Sequence, residues 1–103
     1  MTQDPRDPQI SLGNQAVILY ARGDLDGAMA LLKEEERICR QLGDPAGLAI
    51  SLANQASLLG LTMGRPREAL PLAEEAYRLA SQHGLTALAE QIRPFLDRLR
   101  QEE

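Results

Sequence analysis

The chain has 103 residues, of which 11 are basic and 15 acidic, for a formal net charge of −4. That length supports one modest core but not two, and the acidic balance argues against nucleic acid or an anionic membrane surface, both of which demand a basic patch. The apolar 44% is mostly Leu and Ala, both strong helix formers, while the aromatics are only Tyr20, Tyr77 and Phe95, so helices are expected throughout.

The polar residues 1–7 read as a tail without the apolar stretch of a signal peptide, and a cytoplasmic protein is expected. The first helix is expected over 8–22. Asp7-Pro8 opens it with an N-cap carboxylate followed by proline at the first helical position, where a missing N–H costs nothing. At about 100° per residue, Leu12, Ala16 and Leu19 form one apolar stripe. Ile10, Gly13, Val17 and Tyr20 form another, about 130° away on the same geometry. A helix with two such stripes must be covered on two sides.

Gly23 supplies the positive φ that a reversal requires. A second helix is then expected over 25–42, with Ala28, Leu31, Leu32, Ile38, Cys39 and Leu42 at i, i+3/i+4 spacing. Lys33-Glu34-Glu35-Glu36-Arg37 reads as a solvated face, and Glu35, at the edge of the stripe, is expected to turn its carboxylate to solvent. Cys39 has no second cysteine to pair with and reads as a small buried hydrophobe.

Asp44-Pro45 repeats the opening signal, and a third helix is expected over 45–62. Gly64 turns the chain into a fourth helix over 65–83, whose stripe is Ala69, Leu72, Ala73, Ala76, Leu79 and Ala80. A fifth, over 85–101, carries Leu85, Leu88, Ile92, Phe95, Leu96 and Leu99. Pro71 and Pro94 lie inside these last two helices, where each removes a donor and can bend the axis.

The decisive signal is a repeat. Residues 11–16 read SLGNQA and residues 51–56 read SLANQA, and Leu19 matches Leu59 in the same register. One inserted residue then changes the offset, so that Gly23 matches Gly64, Ala28 Ala69, Leu31 Leu72 and Gly43 Gly84. Repeat one is assigned to 8–43, repeat two to 44–84, and a capping helix with its tail to 85–103.

The spacing Asn14-x-Ala16-x-x-Leu19, then Gly23-Asp24, then Ala28, Leu31 and Leu32, resembles a tetratricopeptide repeat. The long period is similar to the kinesin-light-chain-like branch common in bacterial signalling proteins. The resemblance implies an all-α solenoid of two helix-turn-helix hairpins plus a C-terminal capping helix, five helices in all. It covers residues 8–84 twice over. Departures are Glu35, where the family has a small residue, and Gln15 and Gln55, where it has a large apolar one. These imply looser packing in repeat one.

The resemblance also implies a concave groove lined by the first helix of each repeat. Carried over, the groove residues are Ile10, Gly13, Asn14, Val17, Tyr20 and Ala21 from repeat one, and Ile50, Ala53, Asn54, Ser57, Gly60 and Leu61 from repeat two. The capping helix would add Glu90, Arg93, Asp97 and Arg100, making the groove apolar at one end and charged at the other. In some relatives groove asparagines help clamp a terminal carboxylate. The matching basic positions are missing here, so Asn14 and Asn54 are expected instead to bond the backbone of a neighbouring helix as buried amides. Pro94, at the place of Asn14 and Asn54, marks the end of the array, where a solenoid needs a polar outer face.

Catalysis finds no support: there is no phosphate-binding glycine loop and no nucleophile with a His–Asp arrangement. The single histidine, His83, has no metal-spaced companion, and no cofactor is expected. The function expected is a non-enzymatic adaptor that binds a peptide or amphipathic helix of a protein partner in the groove. The alternative is a self-assembling structural protein, since two and a half repeats fall short of the three or so that make an array self-sufficient.

Overall fold

The computed structural model describes residues 8–101, with side chains from Gln15 onward. The helices are α1 (Pro8–Ala21), α2 (Leu25–Leu42), α3 (Pro45–Ser57) continued by a π-helical turn (Leu58–Thr62), α4 (Pro66–Gln82) and α5 (Thr86–Gln101). Each packs on the next in sequence, and the described residues contain no strand. This is the all-α helical repeat that the punctuation implies.

The punctuation works as chemistry. Asp24 and Asp44 cap α2 and α3, their carboxylates accepting from the Gly27 and Gly47 amides at 2.9 and 3.0 Å. All four predicted turn glycines adopt positive φ, from +67° to +84°, and each reversal is closed by a backbone bond back into its helix. In the first repeat Asp24 N donates to the Leu19 carbonyl at 2.8 Å. In the second, Arg65 N donates to the equivalent Leu59 carbonyl at the same distance. That second ring holds one residue more than the first.

The extra residue is the insertion seen in the sequence, and the helix absorbs it. Met63 N bonds to the Leu58 carbonyl five residues back at 2.9 Å, the spacing of a π turn. The third helix is therefore not regular over 45–62 as its periodicity implies: it is α-helical to Ser57 and widens for its last turn. Gly60 lies inside that turn, where a side chain would be crowded. A Cβ there would stand 3.2 Å from Leu99 Cδ2 and Phe95 Cζ, and 3.3 Å from Ala69 Cβ. Its face is thus turned to α4 and α5 and not to the groove.

The core runs along the hairpins through Ala28, Leu32, Cys39, Leu52, Ala56, Ala69, Ala73, Ile92 and Leu96. Cys39 is fully buried among them. Met29 and Leu70 are buried as well, although neither belongs to the stripes read from the sequence. Leu42 is exposed, because it falls at the last residue of α2, where the chain turns away at Gly43. Pro71 and Pro94 sit inside α4 and α5 without ending either.

One polar residue departs from expectation. Glu35 is buried; it holds the position of Ala76 in the other hairpin. Gln55, where the family has a large apolar residue, is buried and bonded. Its Nε2 donates to Glu36 Oε1 at 2.9 Å and reaches the Leu32 carbonyl at 3.4 Å. Ser51 Oγ donates to that same carbonyl at 2.7 Å. Ser51 and Gln55, one turn apart, thus fasten repeat two to α2 with a satisfied polar network.

Candidate functional site: an apolar groove between the first and third helices

The two apolar stripes of α1 meet different fates. Ala16 is buried and Leu19 partly buried against the core, which accounts for the stripe facing α2. Val17 and Tyr20, from the other stripe, are 66% and 50% exposed, and Leu61 on the π turn is 61% exposed. These three border a hollow of about 240 Å³, whose walls are Ala16, Val17 and Tyr20 on one side and Asn54, Ser57, Leu58, Leu61 and Thr62 on the other. Ala28 and Leu32 of α2 form its floor.

The lining contains no charged side chain. At one end Tyr20 Oη and Thr62 Oγ1 stand 3.3 Å apart, a hydroxyl pair that links the C-terminal ends of α1 and the π turn. Ser57 and Asn54 provide the other polar groups. An apolar hollow with a few polar atoms at its rim can hold one large apolar side chain and bond the backbone or polar groups beside it.

Of the residues predicted from sequence, the structure brings together Val17, Tyr20, Asn54, Ser57 and Leu61. Asn54 is exposed, so its amide is not the buried backbone partner expected; it lies at the groove's wall, open to solvent. Ile50 is exposed and Ala53 partly buried against the core, and neither lines the hollow. Ile10, Gly13 and Asn14 lie on α1 outside the residues whose side chains are described.

The charged end does not join the groove. Arg93 lies in a separate hollow between α4 and α5 beside Tyr77, Ser81 and Glu90. Arg100 faces Glu74 of α4 at 3.6 Å and Asp97 at 4.0 Å. The reason is geometric: α5 packs against α4 and the π turn, and no α5 residue reaches the hollow. The fifth helix therefore does not fold across the groove.

Sequence reasoning missed Thr62, Leu58, Ala16, Ala28 and Leu32 as lining residues. The signal for the first two was present in the inserted residue, since π turns recur at functional sites. The floor residues are invisible to a reading that assigns each helix face a single duty.

A second, wider hollow of about 790 Å³ lies between α2 and α4. Its charges are mixed and largely satisfied locally. Arg37 bonds Glu34, Arg40 bridges Glu36 at 2.9 Å and Glu75 at 3.1 Å, and Arg65 faces Glu68 at 3.8 Å. The hydrogen bond from Arg37 holds the Glu34 carboxyl below the usual carboxylate range. Among the described residues no group of three or more His, Cys, Asp or Glu is placed to hold a metal ion, and no helix is long and apolar enough to cross a membrane.

Comparison with known proteins adds one match. A family model described as Tetratricopeptide repeat matches residues 8–82. No curated protein and no solved structure matches the chain.

Proposed function

The chain belongs to the tetratricopeptide repeat family, whose repeats mediate protein–protein interaction, and from that premise we propose that it is a non-enzymatic adaptor gripping an apolar side chain of a partner's peptide or amphipathic helix. The observation that carries this reading is the cluster of Val17, Tyr20 and Leu61, each at least half exposed around one apolar hollow. Apolar side chains of this size are costly to leave in water, about 1.5–3 kcal/mol each when fully exposed rather than buried.

Size favours a side chain over a free small molecule. The hollow of about 240 Å³ exceeds the roughly 150 Å³ cavity that takes a benzene ring, yet falls short of the roughly 300–1,000 Å³ of small-molecule sites. A Leu or Phe anchor fits, with Ser57, Asn54 and the Tyr20 hydroxyl available to polar groups next to it. The repeat period supports a place in the kinesin-light-chain-like branch of a bacterial proteome, and the single buried Cys39 agrees with a cytosolic setting.

The test is capture from a cell lysate followed by mass spectrometry, comparing the native chain with Val17→Glu/Leu61→Glu. Both side chains are mostly exposed, so the variant keeps its helical circular dichroism while partner recovery drops to background. Recovery of the same partners by the folded double variant overturns the reading.

A further inference from the structure

We propose that Tyr20 and Thr62 close one end of the groove and so set the class of anchor it admits: an aliphatic side chain or a single six-membered aromatic ring, but not the double ring of tryptophan. The inference rests on the groove reading above and adds a selectivity to it. Both residues line the hollow, and their hydroxyl oxygens meet from opposite walls at 3.3 Å. Tyr20 is the last but one residue of α1 and Thr62 is the last of the π turn. Beyond the pair neither helix extends the walls further, so the length of the hollow is set there.

The inserted residue brings the second half of this stop into place. Repeat one has three residues between Leu19 and Gly23, and repeat two has four between Leu59 and Gly64. The π turn takes up the addition, with Met63 N bonded to the Leu58 carbonyl, and Leu58, Leu61 and Thr62 all stay on the groove wall. At the matching end of α1, Ala21 and Arg22 follow Tyr20, and neither lines the hollow. A separation of 3.3 Å is long for two hydroxyls, so the pair works as a wall by its bulk and not as a latch by its strength. Size then decides. The hollow of about 240 Å³ exceeds the roughly 150 Å³ that takes a benzene ring. In an apolar pocket a single methylene changes selectivity by about 10–200-fold, and an indole exceeds a phenyl ring by more than that.

The proposal is tested by NMR titration of the full chain, following the methyl groups of Val17, Leu58 and Leu61. The probes are N-acetyl-leucinamide, N-acetyl-phenylalaninamide and N-acetyl-tryptophanamide, each taken to about 20 mM because probes this small bind in the millimolar range. On the native chain the leucine and phenylalanine amides should move these methyls, and the tryptophan amide should bind about tenfold or more weaker than the phenylalanine amide. Thr62→Ala shortens the wall and should bring that ratio below about threefold. Thr62→Val keeps the bulk without the hydroxyl and should leave the ratio near its native value. A tryptophan amide that binds the native chain as well as the phenylalanine amide overturns the end wall while leaving the groove reading intact. So does a ratio that neither Thr62→Ala nor Tyr20→Ala lowers, or one that collapses equally in Thr62→Val. Both residues are exposed, so these variants keep the fold, and a general loss of affinity in Tyr20→Ala cancels in the ratio. If none of the three amides moves the methyls, the groove reading falls and this inference falls with it.

Discussion

α1 and α3 are nearly the same helix in two surroundings. Both are uncharged and both open on proline, and their central hexads differ at one residue. α3 is held between α2 and α4 and buries Leu48, Ser51, Leu52, Gln55 and Ala56. α1 packs chiefly on α2, and of its side chains from Gln15 onward only Ala16 is buried. The pair shows that a helix's amphipathicity belongs to its neighbours as much as to its residues. The same polar dyad is an interior fastening in one repeat and a surface in the other.

The comparison can be broken most directly at Leu58 and Ile18. Leu58→Ala empties a buried site and should cost about 2–5 kcal/mol, whereas Ile18→Ala, at a half-exposed equivalent, should cost less than about 1 kcal/mol; urea unfolding of both variants measures the gap. Equal losses would mean that α1 is covered in solution as well as α3.

Next comes the amide. Gln55→Ala removes the donor shared by Glu36 and the Leu32 carbonyl and should lower stability by about 1–3 kcal/mol, while Gln15→Ala should stay within about 0.5 kcal/mol. Thermal unfolding of the two variants at one protein concentration gives the difference.

Smaller still is Arg40→Ala. It unties α2 from Glu75 of α4, a link between the second helices of the two repeats. Exposed pairs of this kind contribute about 0–1 kcal/mol, so the midpoint of unfolding should fall by no more than about 4–8 °C for a chain of this size.

The smallest effect is electrostatic. Glu34, bonded by Arg37, titrates below an ordinary glutamate. Its folded pKa lies below its unfolded one, so the pair's stabilisation is complete above the usual carboxylate range and disappears as pH falls through the lowered value. Carboxyl-carbon NMR should show Glu34 titrating below the usual carboxylate range, and Arg37→Gln should bring its midpoint back up towards that range.

Much of the architecture could be read without coordinates because it is written in residues with few alternatives. Asp44 followed by Pro45 marks a helix start, and the four glycines take a φ that other residues avoid. Burial was harder to read. Glu35 was assigned to solvent because carboxylates usually go there, but its burial was set by the packing around α2 and not by its own preference. Of the groove, Val17 and Tyr20 were marked by an apolar stripe, while Asn54, Ser57 and Leu61 came only with the family resemblance. Arg93 and Arg100 did not follow, because a periodicity places residues around one helix and says nothing of the angle at which α5 meets α4.

The π turn at Leu58–Thr62 has a consequence for how such an array changes over evolutionary time. One residue added to an ordinary α-helix rotates everything beyond it by about 100°, which would turn the following hairpin's apolar face away from its neighbour. Here the addition is confined to one widened turn, and Gly64 resumes the part that Gly23 plays in the first hairpin. The helix end behaves like a slack link in an otherwise taut chain. Length can change there, and with it the outline of the groove's rim, while the phase of every later helix is kept.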